Sequence, residues 1–211
     1  MSPIEDVLNF ARMTHELQKV KRAMWVPGED RLENDSEHHY QVAMIAWYIA
    51  TSQKLDLDLN KVLQYALIHD MVEAYAGDVD VFASDRSAKA KNEQLAAEKL
   101  KRNFPLFIEL YPLIQNYEKR ADPESRFVYA VDKIIPTLNN YLDDGRTWKL
   151  RGITLDMVSN SKAGKVSQHP AVENLWKEFY HKIKAEESRL FPSDSIPLTD
   201  PRFVKKQKSA E

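Results

Sequence analysis

Cysteine is missing from all 211 residues. That rules out a disulfide framework, a zinc ribbon and a thiol nucleophile, so any metal must be held by imidazoles and carboxylates. No run of about 18 apolar residues occurs, and the Met1–Asp6 stretch lacks the basic-then-apolar pattern of a signal peptide. The expectation is a soluble, cytoplasmic protein. Surplus charge is missing too: 30 basic against 32 acidic residues give a net charge of −2. With no global positive field, general binding to nucleic acid or to a membrane surface is excluded, although a local arginine cluster can still hold a small anion. Glycine is scarce, at five, and no stretch alternates apolar with polar residues for long. An all-α fold follows. Length and a 43% hydrophobic content suit one compact multi-helix domain over residues 1–190. Residues 191–211, ending Lys205-Lys206-Gln207-Lys208, read as an arm or a disordered tail.

What is present centres on residues 59–74, an apolar helix ending in ionisable groups. Val62, Leu63, Ala66 and Leu67 follow helical spacing, and His69, Asp70 and Glu73 crowd the last turn. The macrodipole disfavours negative charge at a helix C-terminus, so something positive is expected there. Adjacent residues lie about 100° apart around a helix, so His69 and Asp70 can share an ion only on the seam between them. Glu73, i+4 from His69 and i+3 from Asp70, is close enough to join. Taken alone, the dipeptide reads equally as a solvated helix end.

The rest of the chain supplies company for this pair. A first helix spans residues 4–19, followed by a loop with Arg22, Trp25, Pro27, Gly28, Arg31 and Asn34. The arginines and the tryptophan form either an anion-binding rim or a hydrophobic plug with solvated charges. Ser36 is the expected N-cap of a second helix in which His38, Val42, Ile45 and Ile49 form the buried stripe and His39 is rotated off it. Gly77 ends the 59–74 helix, placing Asp78 and Asp80 in a loop. Helices are expected over 86–103 and 105–119, with Pro112 kinking or dividing the latter. Asp122-Pro123-Glu124 is a strong helix start. The helix beyond it carries Asp132 inside an apolar stripe, where a carboxylate costs several kcal/mol unless paired or bound to a cation. Further helices are expected over 153–162 and 168–188. The broad apolar face of the last one suggests a homodimer or, equally, intramolecular packing.

His38, His69, Asp70 and Asp132 thus come from three helices, each out of place for pure packing. Two imidazoles and two carboxylates form a credible ligand set for a divalent metal such as Mn, Fe, Co, Ni or Zn, with Mg a further candidate. At this point the sequence resembles a known family. Ser36-Glu37-His38, Leu67-Ile68-His69-Asp70 with Glu73, Gly77-Asp78 and Val131-Asp132-Lys133 are similar to the H…HD…D signature of the HD-domain metal-dependent phosphohydrolases. The similarity is greatest to the branch of bacterial deoxyribonucleoside 5′-monophosphatases. The branch often has a Trp directly after its phosphate-contacting Arg, whereas here Ala23 follows Arg22 and Trp25 stands three positions on.

The resemblance implies a metal held by His38, His69, Asp70 and Asp132, with Asp70 and Glu73 at the centre of catalysis. It further implies Arg22, with Arg31 as a second candidate, on the substrate phosphate beside Trp25, and Asp78 on a sugar hydroxyl. Metal-bound water would attack the phosphate of a small-molecule nucleotide, with Glu73 taking its proton and Glu37 fixing an imidazole tautomer. Two rival readings stand beside this one. A triphosphohydrolase would release the triphosphate chain of a dNTP using basic residues such as Arg86, Lys89, Lys91 or Lys133, and a non-catalytic helical protein would bind nucleotide without turnover.

Overall fold

A computed structural model describes residues 2–78 and 87–192. Asp80, Arg86 and the 193–211 part of the tail lie outside the described residues, as does the side chain of Lys89. The all-α expectation holds apart from one hairpin. The order is α1 (Pro3–Lys19), β1 (Lys21–Trp25), β2 (Leu32–Asn34), α2 (Asp35–Ser52), α3 (Leu59–Ile68), α4 (Glu73–Ala76), α5 (Ser87–Asn103) and α6 (Leu110–Lys119). Then follow α7 (Pro123–Leu142), α8 (Arg146–Leu150), α9 (Leu155–Val166), α10 (Pro170–Ala185) and α11 (Glu187–Leu190). Among the described residues, no helix is long and apolar enough to cross a membrane.

The chain divides into two compact units. One comprises Met1–Arg22 with Glu33–Tyr129, the other Ala23–Leu32 with Ala130–Glu211. In the first unit α2 packs along α3, and α3 along α6, with Val42, Ala46, Val62, Tyr65 and Ala66 buried. In the second, Arg146 clamps the 26–31 turn. Its guanidinium donates to the carbonyls of Val26 and Glu29 and lies 4.7 Å above the Trp25 ring. Trp148 stacks on Phe191 at 4.5 Å. The apolar side chains Val172, Trp176 and Ile183 of α10 are buried, so intramolecular packing accounts for the face that suggested a dimer.

Four expectations are corrected. The loop after α1 contains a two-stranded sheet, with strands of five and three residues. The cap of α2 is Asn34, not Ser36. Its Oδ1 accepts from Glu37 N–H at 3.1 Å while Glu37 Oε2 accepts from Asn34 N–H at 3.0 Å, a reciprocal capping box. The helix read over 59–74 stops at Ile68. His69 to Val72 form turns with i→i+3 bonds, Met71 N–H to Ile68 O and Glu73 N–H to Asp70 O, before α4 begins. Finally, α6 starts at Leu110, which puts Pro112 in its first turn, where no helical N–H is required.

The start of α7 behaves as its sequence dictates. Asp122 Oδ1 accepts from Ser125 N–H at 2.8 Å, and its Oδ2 accepts from the hydroxyl of the buried Tyr65 at 2.7 Å, tying α3 to α7. Burial raises the Asp122 carboxyl, but the hydrogen bonds from Ser125 and Tyr65 and the Lys61 charge outweigh it and hold the carboxyl below its ordinary value. Asp122→Ala therefore loses a cap and leaves the Tyr65 hydroxyl without its acceptor, for a loss of about 2 kcal/mol in urea denaturation at pH 7. Because the folded-state pKa is depressed, this contribution is complete above the unfolded value of about 4 and fades as pH falls through the folded one. The gap between wild type and variant should narrow on acidification below about pH 4, and a gap independent of pH would contradict the assignment.

Candidate metal centre

His38 comes from the second turn of α2 and is fully buried. The capping box fixes where that turn begins, and Asp35, three residues earlier, therefore shares the His38 face. His69 is the C-cap of α3, and Asp70 lies in the turn beyond it. His69 keeps helical backbone angles, φ −57° and ψ −39°, so the two neighbours share an ion only on the seam between their directions. Ligand atoms of His38, His69 and Asp70 lie within 4.8 Å of one another. The His38 and His69 ring centroids are 5.3 Å apart.

The protonation of His69 follows from its partner. Nδ1 lies 2.9 Å from the Ala66 carbonyl oxygen, which can only accept, so in the neutral ring Nδ1 carries the hydrogen and Nε2 the lone pair. That lone pair faces Asp70 Oδ2 at 3.3 Å. Two acceptors held this close repel unless a proton or a cation sits against both.

Carboxylates dominate the surroundings. Arg22 reaches three of them, with Nη1 at 3.1 Å from both Asp35 Oδ1 and Asp70 Oδ2, and Nε at 3.4 Å from Glu33 Oε2. One guanidinium against three carboxylates leaves two negative charges, the charge that a divalent cation cancels. Burial raises the Asp35 carboxyl to about 6, against the opposing pull of Arg22. Its Oδ2 has no hydrogen-bond partner among the described residues. Glu73, buried in α4, is pushed up to about 10 by burial and then by the charges of Asp70, Asp78 and Asp35. Burial, followed by the neighbouring His69, holds the His39 ring well below its ordinary value and hence neutral. The donor chemistry, the His69 tautomer and the uncompensated charge all fit a divalent ion.

The other expected residues fall as follows. Asp78 is half-buried at the end of the first described segment and contributes to the field on Glu73. Asp132, on the α7 portion in the second unit, is 1% exposed and pairs with Lys133 Nζ at 2.5 Å. Trp25 is buried beneath Arg146, the plug rather than the rim of the two readings of its loop. Arg31 is exposed and pairs with Glu29 at 2.6 Å. Glu33 Oε2 lies 3.7 Å from His38 Nδ1, while Glu37, expected to fix an imidazole, closes the capping box through its Oε2. Sequence reasoning missed Glu33, Asp35 and His39. The i−3 spacing of Asp35 from His38 was a usable signal. His39, placed off the stripe by helical rotation, is in fact buried with its ring 4.6 Å from His69.

Comparisons with known proteins agree with this arrangement. A family match, to the HD domain, covers residues 14–173. The 5′-deoxynucleotidase HDDC2 of Xenopus laevis is 30% identical over 182 residues, covering 83% of this chain and 87% of its own. The human protein of that name is 29% identical over 189 residues, covering 86% of each. Among solved structures, a "predicted metal-dependent phosphohydrolase" from Magnetospirillum magnetotacticum MS-1 superposes with a TM-score of 0.77 at 27% identity, over 90% of this chain and 97% of its own. An HD-domain phosphohydrolase from Listeria innocua shares the fold, with a TM-score of 0.65 at 15% identity over 97% of this chain and 99% of its own.

A cation that neutralises this cluster binds the folded state alone and must stabilise it. With Mn²⁺ or Co²⁺ at 100 times its dissociation constant, chelated protein should gain about 2.7 kcal/mol. For a chain of this length that is a rise of roughly 5–10 °C in melting temperature. His69→Ala should abolish the rise, and a wild-type melting curve indifferent to every divalent metal would remove the metal centre.

Proposed function

The chain belongs to the HD domain family, and on that premise we propose that it is a metal-dependent phosphohydrolase releasing phosphate from (deoxy)nucleoside 5′-monophosphates. The observation that carries the reading is the convergence of His38, His69 and Asp70 with the His69 lone pair turned toward Asp70. The relatives named 5′-deoxynucleotidase point to the substrate class. The proposal includes action on free nucleotides in the cytoplasm.

In this proposal His38, His69, Asp70 and Asp132 hold the ion, a set of two neutral imidazoles and two carboxylates suited to Mn, Fe, Co, Ni or Zn, with Mg a further candidate. When bound, such an ion supplies an activated water and polarises the phosphoryl group. The protein side chains do the rest. Ala66 fixes the His69 imidazole through its carbonyl oxygen, and Glu33 lies 3.7 Å from His38 Nδ1. Glu73 is placed to take the proton of the attacking water in its ionised form, which the positive charge of a bound ion would favour over the protonated form that burial imposes. Arg22, already 3.1 Å from Asp70, neutralises phosphoryl oxygens, with Arg31 as a second phosphate contact, Trp25 supporting the substrate loop and Asp78 accepting from a sugar hydroxyl.

The test is product analysis on chelated protein reloaded with one metal at a time and offered nucleoside mono-, di- and triphosphates. Orthophosphate from 5′-monophosphates is expected. Asp70→Ala should lower kcat by more than about 100-fold, and Glu73→Gln should lower it by 10²–10⁴-fold, roughly the worth of a general base, with little change in KM. Arg22→Ala should act on KM as well as kcat. Tripolyphosphate from a dNTP would instead identify a triphosphohydrolase, and nucleotide binding with no turnover under any metal would identify the non-catalytic reading.

A further inference from the structure

Asp35 opens α2 and is 0% exposed. An acid at the first position of a helix ordinarily serves the macrodipole, a modest gain made at the surface. Burying a carboxylate costs more than that gain unless a partner offsets it, so the macrodipole does not account for a side chain that water never reaches. Capping does not account for it either, because Asn34 caps α2. Oδ2 has no hydrogen-bond partner among the described residues. The contact that remains is at Oδ1, which accepts from Arg22 Nη1 at 3.1 Å.

The surrounding bonds show what this contact is for. The Asp35 N–H donates to the Val20 carbonyl at 3.2 Å, which fastens the start of α2 to the chain two residues before Arg22. Glu33 Oε2 lies 3.4 Å from Arg22 Nε, at the near end of the guanidinium. At the far end, Nη1 donates to Asp70 Oδ2 as well as to Asp35, at 3.1 Å. That Asp70 oxygen is the one facing the His69 lone pair. In the metal reading of the site it belongs to the ion, and a carboxylate oxygen shared with a cation is a weaker hydrogen-bond acceptor. Asp35 stands outside the group of four that could hold the ion, so its oxygen stays with the arginine.

We propose that Asp35 is the positioning residue of the phosphate-binding arginine, holding Arg22 Nη1 so that the guanidinium meets the phosphoryl group already oriented. Its effect passes through Arg22 alone. The inference rests on the phosphohydrolase reading and adds to it the residue that makes Arg22 effective. An arginine without this anchor keeps its rotamer freedom until substrate arrives, and binding must then supply the order.

A double-mutant cycle between Arg22 and Asp35 tests this. Asp35→Ala should lower kcat/KM for a deoxynucleoside 5′-monophosphate by about 10–100-fold, whereas the same substitution in an Arg22→Ala background should cost less than about 3-fold. Asp35→Asn keeps an oxygen for Nη1 and should restore activity to within about 3-fold of the wild type. Saturating Mn²⁺ should still raise the melting temperature of Asp35→Ala, the mark of a folded chain whose ligand set is in place. Running the cycle on the binding of orthophosphate to Mn²⁺-loaded protein, by calorimetry, separates this inference from the reading beneath it. Coupling in binding without turnover of any nucleotide would remove the phosphohydrolase and keep Asp35 as the anchor of Arg22, and turnover with additive losses would do the reverse. The proposal is also overturned if Asp35→Asn is as impaired as Asp35→Ala, if Mn²⁺ no longer stabilises Asp35→Ala, or if the loaded wild type binds no orthophosphate.

Discussion

Everything at the centre of the first unit is arranged around one unfavourable contact, the lone pair of His69 Nε2 set 3.3 Å from Asp70 Oδ2. The Ala66 carbonyl prevents relief by tautomerisation, because moving the hydrogen to Nε2 would turn a bare nitrogen toward a carbonyl oxygen. Protonating the ring as well as Nδ1 is one escape. A metal ion is the other, and the surrounding charge decides between them: Glu33, Asp35 and Asp70 outnumber Arg22 by two. A single proton leaves half of that deficit in place in a buried setting, where unbalanced charge costs several kcal/mol. A divalent cation would cancel both remaining charges, with Arg22 still counted against the three carboxylates.

Local structure supports this contact at both ends. The reciprocal bonds of Asn34 and Glu37 set the first residue of α2, and this fixes the rotation that turns Asp35 and His38 inward together. At the end of α3 the Ala66 carbonyl holds His69 Nδ1 at 2.9 Å and so fixes the direction of its ring. Away from the centre, Asp122 on Tyr65 and Glu124 on the Asp58 N–H lash the start of α7 to α3, so the helix that positions His69 is anchored at its far end. In this unit α2 is thus capped four residues before His38, and α3 is tied to α7 at Asp58 and Tyr65.

How much of this was legible varied with the range of the forces involved. His38, His69 and Asp70 stood out because polar groups in apolar stripes violate a local pattern, and Asp122-Pro123 announced α7 by local capping chemistry. The hairpin was not legible, since strands of five and three residues are too short to show alternation. The helix break at His69 rests on side-chain and turn bonds that the apolar periodicity of 59–74 conceals. Glu37 serves the N-cap of α2, and Glu33, in the strand before it, comes within 3.7 Å of His38. His39 escaped notice because helical rotation separates it from His38, yet α3 packs alongside and brings the His69 ring against it. Only the tertiary arrangement can bury a residue on the flank of a helix.

The same rotation argument applies to the outside of α2. A helix whose inner face commits Asp35, His38 and His39 to a buried electrostatic cluster has little freedom to shift, because a displacement that exposed or separated those groups would leave charge uncompensated. Its outer face, by contrast, carries the exposed Tyr40, Trp47 and Tyr48, aromatic groups that gain nothing from water. Covering that face with another apolar surface would add stabilisation of about 25 cal/mol for each Å² withdrawn from solvent, and would hold the helix from the side opposite its ligands. Strain at the centre and surplus hydrophobicity at the surface then become two demands on one helix. The side chains that satisfy the second do not disturb the first, since the two faces are centred on opposite sides of the helix, with about 80° of rotation between their nearest members.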